Sequence, residues 1–567
     1  MALDKEAGHY SSDGPSSYRS TDVGSDGSAE PIVTLKTWIV CAILSCGHAF
    51  SFWPIPVLSA IGPSISTTLG SPESYVWFVP SWTISITAAF LIFGPMTDMF
   101  GRRWFLVGGS LLCFVGHVIV ASSKNNRQVI AGLAVSGVGA ANCQMAAFAL
   151  PELLPNKWRA LGVMLSEMTT YVAVIVGPIT GQYSVQWGVW YWNWYALAIF
   201  QGLSFVALLA LYFPPKHPIG ISYMEAFRSL DYLGAFLFIG GAVPFLMGVV
   251  WAQVYDSNDP HVVATLVVGA FVLILFGLWE TFGNLKYPLT PPRVFSSSWG
   301  RDVTAPAVVV AIVNMFYYSA SIIWPQLISV FYTPGHDWTY GVKLTLVQGL
   351  PIAFGAIMVG LCSSYIGRWH WQLTVSTLLM TLFGSLLGLA TPTNKATMSV
   401  FLFLCQFTYA WAITISIAIT QMGVDQKDLG ISGGIAGTFR FAGGAIASSI
   451  YQTVYRTTLT KYTARYVPAA ALSAGLPKSK LTGLLSALSQ DPTGLSKSYG
   501  NAIATAATAA LGQAYYKAIF TVAMCSMAFG IVGIFACLCC KNVDHKMTNK
   551  IEVYLENTRL ADRNEHH

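Results

Sequence analysis

Charge is what this chain of 567 residues has least of. Asp, Glu, Lys and Arg together make up 10% of it, against roughly 25% in a typical soluble protein. Eighteen of the 56 charged residues lie in 1–35 and 541–567, which leaves 38 for the 505 residues between. No soluble chain of this size solvates its surface with so few ions, so a soluble enzyme and a nucleic-acid binder are excluded. The net charge of +6 calls for no anionic partner. Chemical signatures are missing as well. There is no G-x-x-x-x-G-K-[ST] loop to cradle phosphates, so ATP-driven pumping is not expected. No H-x-x-x-H zinc pattern or activated nucleophile appears, and the expectation is no metal, no cofactor and no enzyme. The ten cysteines lie in or at the end of apolar runs, where they act as small hydrophobic residues and form no disulfide framework.

What the chain has instead is apolar sequence, 54% by residue. After a Ser-, Gly- and Asp-rich tail at 1–35, read as disordered and cytoplasmic, stretches of about 20 residues follow one another. That is the length a helix needs to cross a bilayer. Fourteen are counted, from 37–61 to a last one at 516–540, with 456–515 left as a long extracellular loop and 541–567 as a second cytoplasmic tail. With both ends inside, the cytoplasmic loops carry eleven Lys or Arg and the short outer loops three, the bias expected of a polytopic protein. The lipid bilayer is thus the first partner.

An internal repeat organises these spans. Gly94-Pro-Met-Thr-Asp98-Met-Phe-Gly101-Arg102-Arg103 closes span 2, and Gly360-Leu-Cys-Ser-Ser364-Tyr-Ile-Gly367-Arg368 closes span 10. Both read G-x-x-x-(D/S)-x-x-G-R, 266 residues apart. Spans 1–6 (36–212) and 9–14 (303–540) then form two related halves, with two extra spans inserted at 213–302.

The first copy resembles the loop motif of the major facilitator superfamily. Its glycines let two helices approach closely, its Asp faces a helix N-terminus and its arginines stay in the cytoplasm. Gly177-Pro178-Ile-Thr-Gly181 in span 5 resembles the G-P-x-x-G motif of fourteen-span drug:proton exchangers, where the proline lets the helix bend. Glu152-Leu-Leu-Pro155-Asn156-Lys157-Trp-Arg159, and Arg440-Phe-Ala-Gly443-Gly444 with the following Ile450-Tyr451, are similar to stretches of fungal trichothecene-efflux-pump-like facilitators. The resemblance implies an all-α polytopic membrane protein with the major facilitator fold, two six-helix halves plus two inserted helices. It implies a monomeric carrier in the plasma membrane, or in a vacuolar or vesicular one, exporting an organic toxin, drug or secondary metabolite in exchange for protons. Related carriers import siderophores by symport, and a transporter-like membrane sensor is the reading from another class. One departure stands out: Leu133 occupies the place where drug:proton exchangers have the coupling Arg. Either other groups carry the proton or the protein is a uniporter.

Ionisable residues inside spans are costly and tend to be functional. Glu167 lies about 10 Å into span 5 at ~1.5 Å per residue and is the candidate proton carrier, unless span 5 begins later and leaves it near cytoplasmic water. His48 and His117 are further proton-coupling candidates. Arg440 needs a carboxylate, an anionic cargo or an escape to the cytoplasmic face. Asp98 is expected to gate, with the start of span 13 near Gly430–Gly434 or Arg159 as its partner. Gly94, Gly101, Arg102, Arg103, Glu152, Gly177, Pro178, Gly181 and Arg440 complete the gating set. Polar and aromatic residues at mid-membrane depth are candidates to line the cargo site or simply to pack helices: Phe52, Trp53, Asn142, Gln144, Asn314, Tyr317, Gln348, Gln406 and Tyr409.

Overall fold

Inside a bilayer no water is available to backbone N–H and C=O groups, so a spanning segment must bond them internally as a helix. The computed structural model describes residues 33–215, 222–256, 258–333, 337–490, 495–556 and 558. The tail expected at 1–35 therefore lies almost wholly outside the described residues. Thirteen helices among them are long and apolar enough to cross a membrane. In chain order they are α1 (Leu35–Thr68), α2 (Pro72–Phe100), α3 (Arg102–Ala121), α4 (Asn126–Glu152), α5 (Asn156–Gln186), α6 (Trp192–Leu211), α7 (Tyr232–Trp251) and α8 (Pro260–Phe282). They continue with α9 (Thr304–Tyr332), α10 (Thr339–Ile366), α11 (Trp369–Leu389) and α12 (Lys395–Met422). Then come α13 (Leu429–Ser473) and α14 (Asn501–Cys539). Of these only α13 falls short of the apolar criterion, because its glycines, serines and Arg440 dilute the apolar residues. It is nonetheless packed between α2, α9 and α14, and it makes the fourteenth span.

The two sixfold sets meet along two seams, α2 against α13 and α5 against α10. If α1–α6 is matched to α9–α14, α2 corresponds to α10 and α5 to α13. Each seam therefore joins the second helix of one half to the fifth of the other, the arrangement of a pseudo-twofold axis. The same local device ends both second helices: Gly101 (φ 85°) turns α2 into α3, and Gly367 (φ 60°) turns α10 into α11. These left-handed positions suit glycine because it carries no Cβ. The inserted pair, α7 and α8, pack on each other and reach the bundle through α7, which touches α2 and α13. Only 17% of the apolar window of α8 is buried, so its sides face lipid.

Residues 456–515, expected as a loop, are mostly helical. The helix α13 runs for 45 residues, about 68 Å at ~1.5 Å each, more than twice the hydrocarbon thickness of ~30 Å. The last span starts at Asn501 rather than at 516. Alanines at 469–471 and along 502–510 favour helix, which outweighs the turn-forming Ser, Pro and Gly between. The projecting ends of α13 and α14 and the short helix Leu481–Gln490 share a core of their own, including Val467, Ala471, Leu484, Leu488, Leu495 and Ala507.

The second tail is bound where it is described. Asp544 Oδ1 accepts from the Trp369 amide (3.0 Å), and Lys546 Nζ donates to the Met422 carbonyl (2.7 Å), both in the C-terminal half. Further on, the carbonyls of Thr548 and Lys550 accept from the amides of Lys157 and Asn156 (2.8 and 2.9 Å), and Val553 donates to Glu152 (3.2 Å), in the N-terminal half. Ile551 and Leu555 are buried beneath the segment, which thus straps the two halves together on one face. Ile551→Asp should cost about 2 kcal/mol by burying a charge. Amides of 544–556 should then exchange faster in deuterium labelling; unchanged exchange would mean that Ile551 does not anchor the strap.

Candidate interhalf ion pair and gate

Glu167 and Arg440 meet between the halves. Their side chains come from α5 and α13, and both are buried. Arg440 Nη1 donates to Glu167 Oε1 at 2.5 Å and Nη2 to Oε2 at 3.1 Å, the parallel two-bond geometry that suits a guanidinium to a carboxylate. The complete burial of Glu167 removes the alternative of a later span start. His48 of α1 brings its Nε2 to 3.8 Å from Glu167 Oε1. Asn314 Nδ2 donates to the Arg440 carbonyl at 2.7 Å, tying α9 to α13 at this level. The ring of Tyr409 stacks on Tyr317 (centroids 5.8 Å apart), and Phe52 leans on Tyr317 from the other half (6.5 Å). Two charges in an apolar interior pay a large desolvation cost, and pairing with such geometry is what offsets it.

The gating candidates from Gly94 to Arg159 gather on the face that the basic loops assign to the cytoplasm. Asp98 Oδ1 and Oδ2 each accept an amide from the start of α13, Gly430 and Ile431, both at 2.9 Å. A carboxylate at a helix N-terminus satisfies two amides that have no partner within the helix and meets the positive end of its dipole. A Cβ on Gly94 would stand 2.6 Å from the Gly430 carbonyl oxygen, so this crossing requires a residue without a side chain. Arg102 is buried, 4.0 Å from Asp98 and ion-paired with Glu152, and Glu152 also accepts from Gln426 of the other half. Arg102 keeps to the face expected for it but is buried there, drawn inward by a carboxylate on α4. Arg159 likewise bonds Asn156 Oδ1 (2.8 Å) rather than Asp98. Arg103 behaves more as expected of an edge residue, donating to the Leu209 carbonyl (2.9 Å) with its guanidinium 3.8 Å above the Phe213 ring. The contacts of Asp98 and Glu152 join the two halves at this face.

The other candidates scatter. Gly177 and Gly181, on either side of Pro178, let α5 lie against Pro56 and Ile61 of α1. His117 is buried near the Leu197 backbone of α6 and forms no ion pair among the described residues, so it stands apart from Glu167. Phe52 is buried edge-on to Trp82 (5.9 Å), whereas Trp53 is half-buried. Asn142 bonds its own helix at Val138 (3.2 Å), and Gln348 donates to Ser321 (2.8 Å). Gln144 and Gln406 are buried with amide groups that have no partner among the described residues, as groups meant for a ligand or water would be. Tyr171 and Tyr409 lie close enough to act on the Arg440 charge. Sequence reading missed Tyr171, although its place four residues after Glu167, on the same helix face, was a usable signal. Among the described residues no cluster of His, Cys, Asp or Glu is arranged to hold a metal.

Residues 42–566 match the family described as fungal trichothecene efflux pump (TRI12). The chain belongs to that family. It is 60% identical to the MFS-type transporter prx5 of Penicillium rubens, over 97% of this chain and 99% of the relative. With the trichothecene efflux pump TRI12 of Fusarium sporotrichioides it shares 24% identity over 92% and 89% of the two chains. The solved proton:xylose symporter XylE has the same fold, with a TM-score of 0.53 at 12% identity, covering 90% of this chain and 98% of that one. The sequence resemblance is borne out: the protein is a multi-pass major facilitator carrier and a transmembrane efflux transporter.

Removing one partner of the buried pair should cost this pump about 3–5 kcal/mol, because Arg440→Leu strands a buried carboxylate. Combining it with Glu167→Leu should recover most of that loss in thermal unfolding of the purified protein; equal losses would mean that the two act separately. Asp98→Asn, which keeps the shape but not the charge, should weaken the closed face by about 2 kcal/mol. Export should slow while the amount of protein in the membrane stays the same, and unchanged export would argue against gating.

Proposed function

We propose that the pump exports a bulky organic compound in exchange for protons, with Glu167 as the group that takes up and releases the proton. The observation that carries this is the buried two-bond pair of Glu167 with Arg440 across the halves. Rocking the halves must part the two side chains, and neither charge is tolerated alone at that depth. A proton on Glu167 removes its charge at the moment of parting and leaves Arg440 free to turn to the tyrosines around it. Leu133 excludes the usual arginine from this task, and His48, 3.8 Å from Glu167, is placed to pass the proton on.

The cargo fits a site at mid-membrane between the halves, where Phe52, Tyr317 and Tyr409 meet, and Gln144 and Gln406, whose amides have no partner among the described residues, are further candidates to line it. A lining of rings and neutral amides suits an amphipathic molecule with rings and oxygens. Relatives named as trichothecene efflux pumps support a secondary metabolite or toxin as that cargo. Since one chain contains both halves, a monomer suffices. The plasma membrane is the location in which export clears the cell.

In reconstituted vesicles, export by Glu167→Gln should no longer respond to an imposed pH gradient, while wild type does. Full pH dependence in the variant would exclude Glu167 from coupling.

A further inference from the structure

The helical excursion between α13 and α14 encloses a second space, distinct from the region around Glu167. It is a partly open chamber of about 1500 Å³. Its walls are the last turn of α9, the α11–α12 connection, the projecting parts of α13 and α14 and the helix Leu481–Gln490. The helix α13 begins at the Asp98 contact, and α14 ends beside Arg301, where Arg301 Nε donates to the Cys539 carbonyl (2.9 Å). The chamber is at the other ends of both, on the face opposite the basic loops, where cargo leaves.

Its chemistry is selective. Among the described residues no Asp, Glu, Lys, Arg or His lines it, although the excursion contains Lys461, Arg465, Lys478 and Lys480. Leu459, Leu485 and Leu488 supply apolar wall, and Thr460, Thr505 and Gln513 bring hydroxyl and amide groups. The Thr463 hydroxyl is buried there with no partner among the described residues, a donor and acceptor left open to a ligand. A charged molecule would lose part of its hydration in this chamber and meet no counter-charge among the described lining residues. A large neutral one gains contact area and one or two hydrogen bonds.

We propose that the chamber is an outer subsite that holds a bulky, neutral, weakly polar organic molecule on its way out. This rests on outward transport of organic cargo and not on proton coupling through Glu167. The packing of the excursion against α9 and the α11–α12 connection makes the site part of the C-terminal half, so it moves with that half in each cycle.

The test uses two photoreactive probes built on one polycyclic skeleton, one neutral and one bearing a quaternary ammonium, on the purified full-length pump. The neutral probe should label peptides containing Thr463 or Thr508, and the cationic probe should label them at least tenfold less. Gly512→Trp fills the chamber, since a Cβ on Gly512 meets nothing within 4 Å, and should abolish that labelling while leaving labels near Gln406. Ala509→Trp supplies a second filling variant should the first fold poorly. Equal labelling by both probes, labelling unchanged in the filled variants, or no label on the chamber from the neutral probe would overturn the proposal. So would native mass spectrometry that finds a phospholipid held by wild type and lost from Gly512→Trp. Efflux of the neutral probe from intact cells reads export separately, so a failure of the subsite is distinguishable from a failure of transport.

Discussion

A carboxylate and a guanidinium at the centre of a bilayer protein hold each other in place, because each is intolerable there alone. Glu167 and Arg440 come from opposite halves, so their bond is also a statement about where the halves stand. Much of the surrounding architecture serves that contact. Asn314 fixes the backbone at Arg440, and α5 is held against α1 where its glycines leave no side chain between them. At one end of the molecule, a second set of charged contacts completes the closure: Asp98 on the amides of α13, and Arg102 with Glu152 and Gln426. The two layers differ in kind. The deeper one is a buried ion pair with two hydrogen bonds. The one at the face uses a helix dipole and backbone amides, which are easier to break and remake.

The pseudo-twofold arrangement gives the closure its mechanical meaning. Because α2 meets α13 and α5 meets α10, both seams use corresponding helices, and rotation about one axis opens or closes both. The first motif copy keeps an Asp where the second has Ser364, so the two seams are not equally strong. Among the described residues, a carboxylate from this motif bonds across the α2–α13 seam. At the α5–α10 seam, Ser364 instead donates a hydrogen bond to the Lys157 carbonyl. The C-terminal strap spans the same face and adds hydrogen bonds from both halves.

Much of this was legible in the chain. The apolar runs gave the number of spans, and the repeated glycine motif marked the two halves. Asp98 was expected at the start of α13 or at Arg159, the first because a facing helix N-terminus attracts a carboxylate. Arg440 was read as needing a carboxylate, an anionic cargo or an escape to the cytoplasmic face, and its pairing with Glu167, 273 positions earlier, follows only from how the two halves pack. Of the two partners expected for Asp98, the start of α13 is the one it takes, while Arg159 bonds Asn156 and Arg102 pairs with Glu152, contacts that depend on how the loops fold back on the helix ends. The excursion at 456–515 was read as a loop because its turn residues are easily seen. The helical preference of its alanines becomes decisive only when they pack on one another.

The sequence by itself determined that this protein lies in a membrane, how many times it crosses and which short segments turn it, because hydropathy and glycine conformation act locally. Only the tertiary structure decided which buried charges are partners, that the C-terminal segment ties the two halves, and that the described part of the last long connection folds over a chamber whose described lining holds no Asp, Glu, Lys, Arg or His. Those facts depend on groups far apart in the chain meeting across helix faces. The energy of each meeting comes from what the bilayer or the packed interior withholds, which is water.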